Sequence, residues 1–330
     1  MTNNSFSIRL REARLMMGLS MDKLVERTNG AITKQSISRY EKGIMRPKRD
    51  ALQAIAKALN ISEAYFEGIN LKIDVPMLRT TSNGKLSEDE LQALEAKLSF
   101  WAEQYLAKEK EAGFPTQFKN PIKGTKVSTL EDAIQASSLL REKWHCGDGP
   151  IASILRLLER KGIMILAATL PDYVFGMSTW ADKKHPLMIL DFNPEKSSVE
   201  KLRFTAAHEL AHLLLLFPED SPLKLEKRCD LFASFFLLPK LALIEELGSR
   251  KRELITLEEM IDIKELYGAS LAASIIAARD YGIITTEYKR AWYAEHIEPN
   301  PREIGNGHYA FPETLGREKR VYSIIKSMEE

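Results

Sequence analysis

The chain of 330 residues contains only two cysteines and no long apolar run. Two thiols, Cys146 and Cys229, cannot build the disulfide framework that stabilises small secreted domains. The first residues, MTNNSFSIRLREARLMM, lack an apolar core followed by a small-residue cleavage site, which argues against a signal peptide. The longest apolar stretch, around residues 210–217, is far shorter than the ~20 residues of a membrane-spanning helix. These absences predict a cytoplasmic protein with no membrane partner.

Low-complexity composition is also absent. Hydrophobic residues make up 44% and charged residues 28% of the chain, with 17 glycines and 14 prolines, which is typical of folded globular proteins. Because domains contain roughly 100–200 residues, the length predicts two or three of them.

The whole chain has no large excess of positive or negative charge, but its two parts differ in net charge. The formal net charge is +1, yet residues 1–70 carry 12 Lys/Arg against 7 Asp/Glu, and the rest carries 35 against 39. A basic module joined to a mildly acidic one is expected where only one end of a protein binds a polyanion. Residues 1–70 are therefore the candidate for nucleic-acid binding.

Short helices connected by tight turns are predicted in this basic region. A first amphipathic helix ends at Gly18, and Ser20 is placed to cap a second helix over residues 21–27. Thr33 is placed to cap a third helix over residues 34–41.

The third helix has two unlike faces. Ile37 and Tyr40 recur on one side and predict burial. The other side offers hydroxyl, amide and basic groups, namely Lys34, Gln35, Ser36, Ser38 and Arg39. Glutamine can bond to the adenine edge, arginine or lysine to guanine, and hydroxyls to phosphates, which suits the major groove of double-stranded DNA. A solvated helix face is the alternative interpretation.

Two segments of this region, TKQSISRYEKG (33–43) and LQAIAKALNIS (52–62), resemble the phage-repressor (Xre-type) helix-turn-helix domain. The resemblance extends over residues 6–68. It implies an all-α DNA-binding domain at residues 1–70, in which an operator is contacted by Thr33, Lys34, Gln35, Ser36 and Arg39. Modules of this type bind as dimers to half-sites about 34–36 Å apart, so the resemblance also implies a homodimer.

Residues 71–128 are predicted to form a helical connector. The stretch RTTSNGK (79–85) is polar without apolar periodicity, and a long helix with one apolar side is predicted from Ser87 to about Ala112. We interpret this helix as packing against a neighbouring element, with a dimerisation helix as the alternative.

The most specific chemical pattern is the sequence His208-Glu209-Leu210-Ala211-His212. Two histidines four residues apart on a helix project to one side and can bind one Zn²⁺ at about 2.0–2.1 Å, while the glutamate between them can take a proton from bound water. The surrounding residues are apolar almost all round the helix, which predicts burial. Two buried imidazoles need polar partners, and a metal ion supplies one for each.

The third zinc ligand has three candidates. A catalytic zinc keeps three protein ligands and an open position, and the helix predicted at residues 224–238 offers Glu226, Cys229 and Asp230. A thiolate favours a closed site, whereas a carboxylate favours a site with an activatable water, and Glu226 reaches further than Asp230. These residues alone leave the choice open.

The segments RFTAAHELAHLLL (203–215) and EKRCDLFASFFLLP (226–239) resemble the ImmA/IrrE-type metallopeptidases. In that family the HExxH helix is followed by a helix of the pattern E-x-x-x-[ND]-x-x-A-x-x-x-L-[LM]-P. The resemblance covers residues 130–285 and implies a zincin-like domain at residues 129–285. It implies zinc ligation by His208, His212 and Glu226, with Glu209 as the general base and Asp230 in a supporting position beside the ligands.

The helical signal fades beyond Tyr281. Residues 286–330 are predicted to be a C-terminal extension of unknown role, mostly looped, with a last helix near residues 319–328. The expected fold class is mainly α with a small β-sheet (α+β), an all-α helix-turn-helix domain plus a zincin-like metallopeptidase domain.

Two hypotheses of function follow from these patterns. In the first, both resemblances imply a DNA-binding transcriptional regulator with its own, conditionally gated, zinc endopeptidase. Its substrate would be a repressor-type regulatory protein or the protein itself, in a stress, phage or mobile-element response. In the second, the chain is a repressor or antitoxin whose zinc-binding domain senses a ligand or partner without proteolysis. The first is favoured because a pure sensor has no need for Glu209. A third interpretation takes both motifs as structural.

Overall fold

A computed structural model of the chain describes residues 3–68, 71–73, 88–115, 117–170 and 173–329. The predicted polar break at 79–85 and the predicted helix start at Ser87 lie outside the described residues. Contacts between Cα atoms divide the chain into two compact units. The first contains the described residues of Met1–Pro115, Thr179–His185 and Val321–Glu330, and the second those of Thr116–Ser178 and Pro186–Arg320.

The described elements are fourteen α-helices, one 3₁₀ helix and three strands. In chain order they are α1 (Asn3–Met16), α2 (Met21–Arg27), α3 (Lys34–Glu41), α4 (Arg49–Leu59), the 3₁₀ helix (Glu63–Glu67), α5 (Glu88–Glu111), α6 (Leu130–Trp144), α7 (Ile154–Arg160), β1 (Met164–Ala167), β2 (Gly176–Ala181), β3 (His185–Leu190), α8 (Val199–Leu214), α9 (Pro222–Leu237), α10 (Lys240–Leu247), α11 (Leu257–Tyr267), α12 (Leu271–Asp280), α13 (Thr286–His296) and α14 (Arg317–Glu329). None of the described helices is long and apolar enough to cross a bilayer.

The N-terminal helices form the core of the first unit. The side chain of Ser20 accepts a hydrogen bond from the backbone N–H of Lys23 and begins α2, and Thr33 does the same for Ser36 and begins α3. Both predicted caps are confirmed, because capping depends on residues close in sequence. The core is apolar and contains Phe6, Leu10, Leu24, Ile37, Tyr40, Ile55, Leu59 and Phe66.

Helix α5 packs against α1 in the first unit. The guanidinium of Arg9 donates two hydrogen bonds to the carboxylate of Glu103, at 2.8 and 2.6 Å, and lies 4.2 Å from the centre of the Tyr65 ring. The rings of Tyr65 and Phe100 meet edge to face at 5.4 Å. The contacts support the packing interpretation of this helix, and its role in dimerisation stays a prediction.

The small sheet has the strand order β1-β3-β2. Strands β1 and β3 are parallel, with Met164 opposite Leu187 and Ala167 opposite Leu190. Strand β3 is therefore central, and β2 lies at an edge. The turn between β2 and β3 places Asp182 and Lys183 at φ of 51° and 55°, the two positive φ values of a type I′ hairpin.

Helices α6, α8 and α9 pack together in the second unit. The rings of Phe232 and Phe236 stack at 5.8 Å, and Trp144 meets Phe236 edge to face at 6.1 Å. The predicted burial of the HExxH helix is confirmed, since most residues of α8 are buried. The packing buries most of α8 and leaves His208 and His212 partly exposed.

The expectation that residues 286–330 begin with a looped segment is wrong, because residues Thr286–His296 form α13. Thr285 caps this helix, and Trp292 is 3% exposed and donates its indole N–H to the carbonyl of Ile255 at 3.2 Å. A short helix that buries one large side chain has little apolar periodicity, so the pattern was too weak to predict it.

Buried carboxylates connect the following residues to the second unit. Glu303 forms an ion pair with Lys264 at 2.9 Å and accepts hydrogen bonds from the first N–H groups of α12. Glu313 pairs with Arg203, both side chains being 0% exposed, and accepts hydrogen bonds from Ser153 and from the first N–H groups of α7. The residues after α13 thus complete the hydrogen bonding of two helix starts.

Candidate functional site

Helix α8 carries the two histidines of the HExxH sequence on one side. Their side chains are 14% and 16% exposed, and the Nε2 atoms of His208 and His212 lie 3.2 Å apart. This convergence follows from the spacing of four residues, close to one helical turn. Glu209, between them, is 3% exposed.

Helix α9 brings a carboxylate to the same point. Oxygen Oε2 of Glu226 lies 3.1 Å from Nε2 of His208, and Oε1 lies 3.7 Å from Nε2 of His212. In a tetrahedral zinc site with bonds of about 2.0–2.1 Å, neighbouring ligand atoms are about 3.3 Å apart. The two imidazoles and the carboxylate therefore fit a single zinc ion.

Cys229 lies on the other side of His212. Ligand atoms of His208, His212 and Cys229 are within 4.8 Å of one another, so a His/His/Cys set is also conceivable. The Sγ atom, however, is 3.8 Å from Nδ1 of His212, whereas Glu226 faces Nε2. Burial raises the pKa of the Cys229 thiol far above its ordinary value. The geometry favours Glu226 over Cys229.

Asp230 supports His208 from behind the ring. Its Oδ1 atom lies 2.8 Å from Nδ1 of His208, an arrangement that keeps the proton on Nδ1 and directs Nε2 towards a metal. Burial alone would lower the pKa of His208, but hydrogen bonds to Asp230 and Glu226 outweigh it and raise the pKa to about 9. Hydrogen bonds from both histidines lower the pKa of Glu226 to about 2. The carboxylates of Glu226 and Asp230 therefore favour positive charge on the His208 ring.

Ser178 is a site residue that the sequence did not reveal. Its Oγ atom donates a hydrogen bond of 2.7 Å to Oε2 of Glu209. Ser178 lies in β2, 31 residues before Glu209, and no local pattern in GMSTW connects the two. Only the packing of β2 against α8 brings them together.

The predicted DNA contacts lie on the outer side of α3. Thr33, Lys34, Gln35 and Arg39 are exposed and Ser36 is half-buried, whereas Ile37 and Tyr40 face the core at 0% and 6% exposure. The Thr33 hydroxyl accepts the N–H of Ser36, and Lys34 Nζ lies 2.7 Å from Asp22 Oδ2 in an exposed pair. Four of the five residues are therefore open to solvent, and their role in DNA binding stays a prediction.

Comparisons with known proteins identify both regions. Residues 10–66 match the family model of the helix-turn-helix, and residues 158–276 match that of the IrrE N-terminal-like domain, a peptidase family. Searches of the curated proteins and of the solved structures found no match. The two family matches confirm the resemblance to an Xre-type helix-turn-helix fused to an ImmA/IrrE-type domain, and they agree with the expected fold class.

Proposed function

Since this chain joins a helix-turn-helix DNA-binding domain to an IrrE N-terminal-like peptidase domain, we propose that it is a transcriptional regulator with zinc-dependent endopeptidase activity. The observation that carries the proposal is the convergence of the His208 and His212 Nε2 atoms with the Glu226 carboxylate, next to Glu209. A purely structural cluster would not require a carboxylate between the two histidines on the same helix.

His208, His212 and Glu226 would hold the zinc, and Asp230 would keep the ring of His208 in place. When bound, the zinc supplies Lewis-acid activation of water and of a peptide carbonyl. Glu209 accepts the proton of the attacking water and later delivers it to the leaving amine. Because Glu209 is 3% exposed, its carboxylate is shielded from bulk water.

The DNA partner is a double-stranded operator. In this proposal the outer side of α3 enters the major groove, where Gln35 and Arg39 contact base edges and Thr33, Lys34 and Ser36 contact phosphates or bases. Two copies of the chain bind two half-sites about 34–36 Å apart. In this proposal the helix-turn-helix domain keeps the peptidase domain at the operator.

The proposed substrate is a repressor-type regulatory protein or a second copy of this chain. Cleavage of such a protein would change gene expression in a stress, phage or mobile-element response, and partner binding or a cellular signal would gate it. Substrate identity rests on the family resemblance, since a fold does not specify a substrate.

The direct test compares wild-type protein with Glu209→Gln. Each protein is incubated with zinc and a proteome-derived peptide library or purified repressors, and the products are identified by mass spectrometry. We expect at least a 100-fold loss of cleavage in the variant, with zinc content and DNA binding unchanged, and a similar loss after chelation. Equal cleavage by both proteins would contradict the mechanism. Zinc and DNA binding without cleavage under any condition would favour the non-proteolytic, ligand-sensing repressor.

A further inference from the structure

Glu209 is held from outside its own helix by a hydroxyl on the sheet. The distance between Ser178 Oγ and Glu209 Oε2 is 2.7 Å, a normal length for a hydroxyl hydrogen bond and within the range of hydroxyls that donate to a carboxylate. An ionised carboxylate can only accept hydrogen bonds, so Ser178 is the donor. One oxygen of Glu209 is therefore engaged by Ser178.

The contact belongs to a close approach between β2 and α8. A Cβ atom added to Gly176 would lie 2.6 Å from Thr205 Cγ2, so the strand reaches this distance only because residue 176 has no side chain. Gly176 and Ser178 are two residues apart and share a face of the strand. Thr205 and Glu209 are four residues apart and share a face of the helix. The Gly176–Thr205 and Ser178–Glu209 contacts are thus two successive steps of one strand–helix interface.

We propose that Ser178 is a positioning residue for Glu209. Its hydroxyl fixes Oε2, so that the other oxygen of the carboxylate is directed to accept the proton of the attacking water. The inference rests on the proposed endopeptidase function and adds to it a residue outside the HExxH helix. Because the backbone of β2 sets the direction of the Ser178 side chain, the strand determines the orientation of the Glu209 carboxylate.

A merely structural role for this hydrogen bond predicts different behaviour. If Ser178 only satisfied a buried carboxylate, its removal would lower stability and leave the turnover of folded protein unchanged. A positioning role predicts that turnover falls in protein that keeps its fold and its zinc, because the partners of residues in a metal site affect activity about 10–100-fold.

The first test uses three variants of the full chain. Ser178→Ala removes the hydroxyl, and Ser178→Thr keeps it on a side chain that suits a strand. Ser234→Ala is the matched control, because Ser234 in α9 is buried and its hydroxyl has no hydrogen-bond partner among the described residues. For a peptide that the wild type cleaves, we expect Ser178→Ala to lower kcat about 10-fold or more, with KM and zinc content unchanged. We expect Ser178→Thr to recover most of the lost kcat and Ser234→Ala to have the kcat of the wild type.

An unchanged kcat in Ser178→Ala would overturn the proposal.

The second test needs no activity. In crystal structures of the zinc-loaded protein, Glu209 is expected in one conformation in the wild type and in Ser178→Thr, and in more than one in Ser178→Ala. A single, wild-type conformation of Glu209 in Ser178→Ala would refute the positioning role. If the wild type cleaves no peptide, the proposed function fails, and the crystal structures still decide whether Ser178 orients Glu209.

Discussion

The choice between Glu226 and Cys229 as zinc ligand depends on which nitrogen of His212 each one faces. Glu226 lies near Nε2 and Cys229 near Nδ1, and the proposed zinc site uses the carboxylate because His208 also presents its Nε2 atom to Glu226. We predict that Glu226→Gln lowers zinc affinity by more than about 100-fold, since losing a ligand costs more than losing the partner of one. Cys229→Ser should change it less than about 10-fold, because a hydroxyl can replace the buried thiol behind the ring. Competition with a chromophoric chelator measures both affinities.

Cobalt substitution gives an independent measurement of the same prediction. A thiolate bound to Co²⁺ produces an intense near-ultraviolet charge-transfer band, so we expect none in the wild type. A strong band that disappears in Cys229→Ser would identify a His/His/Cys site and contradict the assignment of Glu226.

Residue spacing explains which parts of this site the sequence could predict. His208 and His212 converge because they are four apart on one helix, and Glu226 and Asp230 follow the same rule on α9. Choosing Glu226 over Cys229 as the third ligand requires the orientation of the His212 ring. That orientation depends on how α9 packs against α8, which the sequence does not show. Ser178 was unpredictable because its contact spans 31 residues and a strand–helix interface.

At the scale of elements, the approach of β2 to α8 depends on Gly176. Its φ is not in the left-handed region, but an added methyl group would meet Thr205 at 2.6 Å and Leu190 at 2.9 Å. We predict that Gly176→Ala lowers the free energy of unfolding by about 1–3 kcal/mol, as overpacking does. The matched control is Gly149→Ala, where nothing lies within 4 Å of the added atom. Denaturant unfolding followed by circular dichroism compares the two, and equal stabilities would show that the strand adjusts without cost.

The Arg203–Glu313 pair joins α8 to the residues after α13. Both side chains are 0% exposed, and removing one partner of a buried pair leaves an uncompensated charge, at a cost of about 3–5 kcal/mol. We predict a loss of this size in the unfolding free energy of Glu313→Gln, measured by chemical denaturation. Because the cost comes from the charge left behind, the double variant Arg203→Met/Glu313→Leu should lose less than the sum of its single variants. Additive losses would indicate that the two charges do not interact.

The same contrast between local and distant determinants applies to the elements. The starts of α2 and α3 were predictable because Ser20 and Thr33 cap them through neighbouring residues. Helix α13 also has a local cap, Thr285, but it was not predicted because Trp292 is its one buried residue and gives little apolar periodicity.

At the scale of the whole molecule, the uneven charge distribution agrees with the proposal of two separate functions, DNA binding and zinc binding. Residues 1–70 carry a net charge of +5 and the rest −4, and the outward residues of α3 and the metal cluster belong to different units. DNA binding and zinc binding should therefore be separable by mutation. A polyanion partner also implies that the DNA affinity falls linearly with salt on logarithmic axes, with a slope set by the number of phosphates contacted.

Arg39→Ala tests this separation. The wild type is first used to select an operator from random DNA, and affinities for operator and unrelated DNA are then measured by fluorescence anisotropy at several salt concentrations. If Arg39 contacts a base, its removal should weaken operator binding by about 1–3 kcal/mol with little effect on unrelated DNA and none on zinc content.

Lys227→Ala, at an exposed position in α9, is the matched loss of one positive charge from the other unit and should leave both affinities unchanged. An equal loss on both DNAs, with a shallower salt dependence, would show that Arg39 contacts a phosphate. Equal effects of Arg39→Ala and Lys227→Ala would show that net charge, rather than the surface of α3, determines DNA binding.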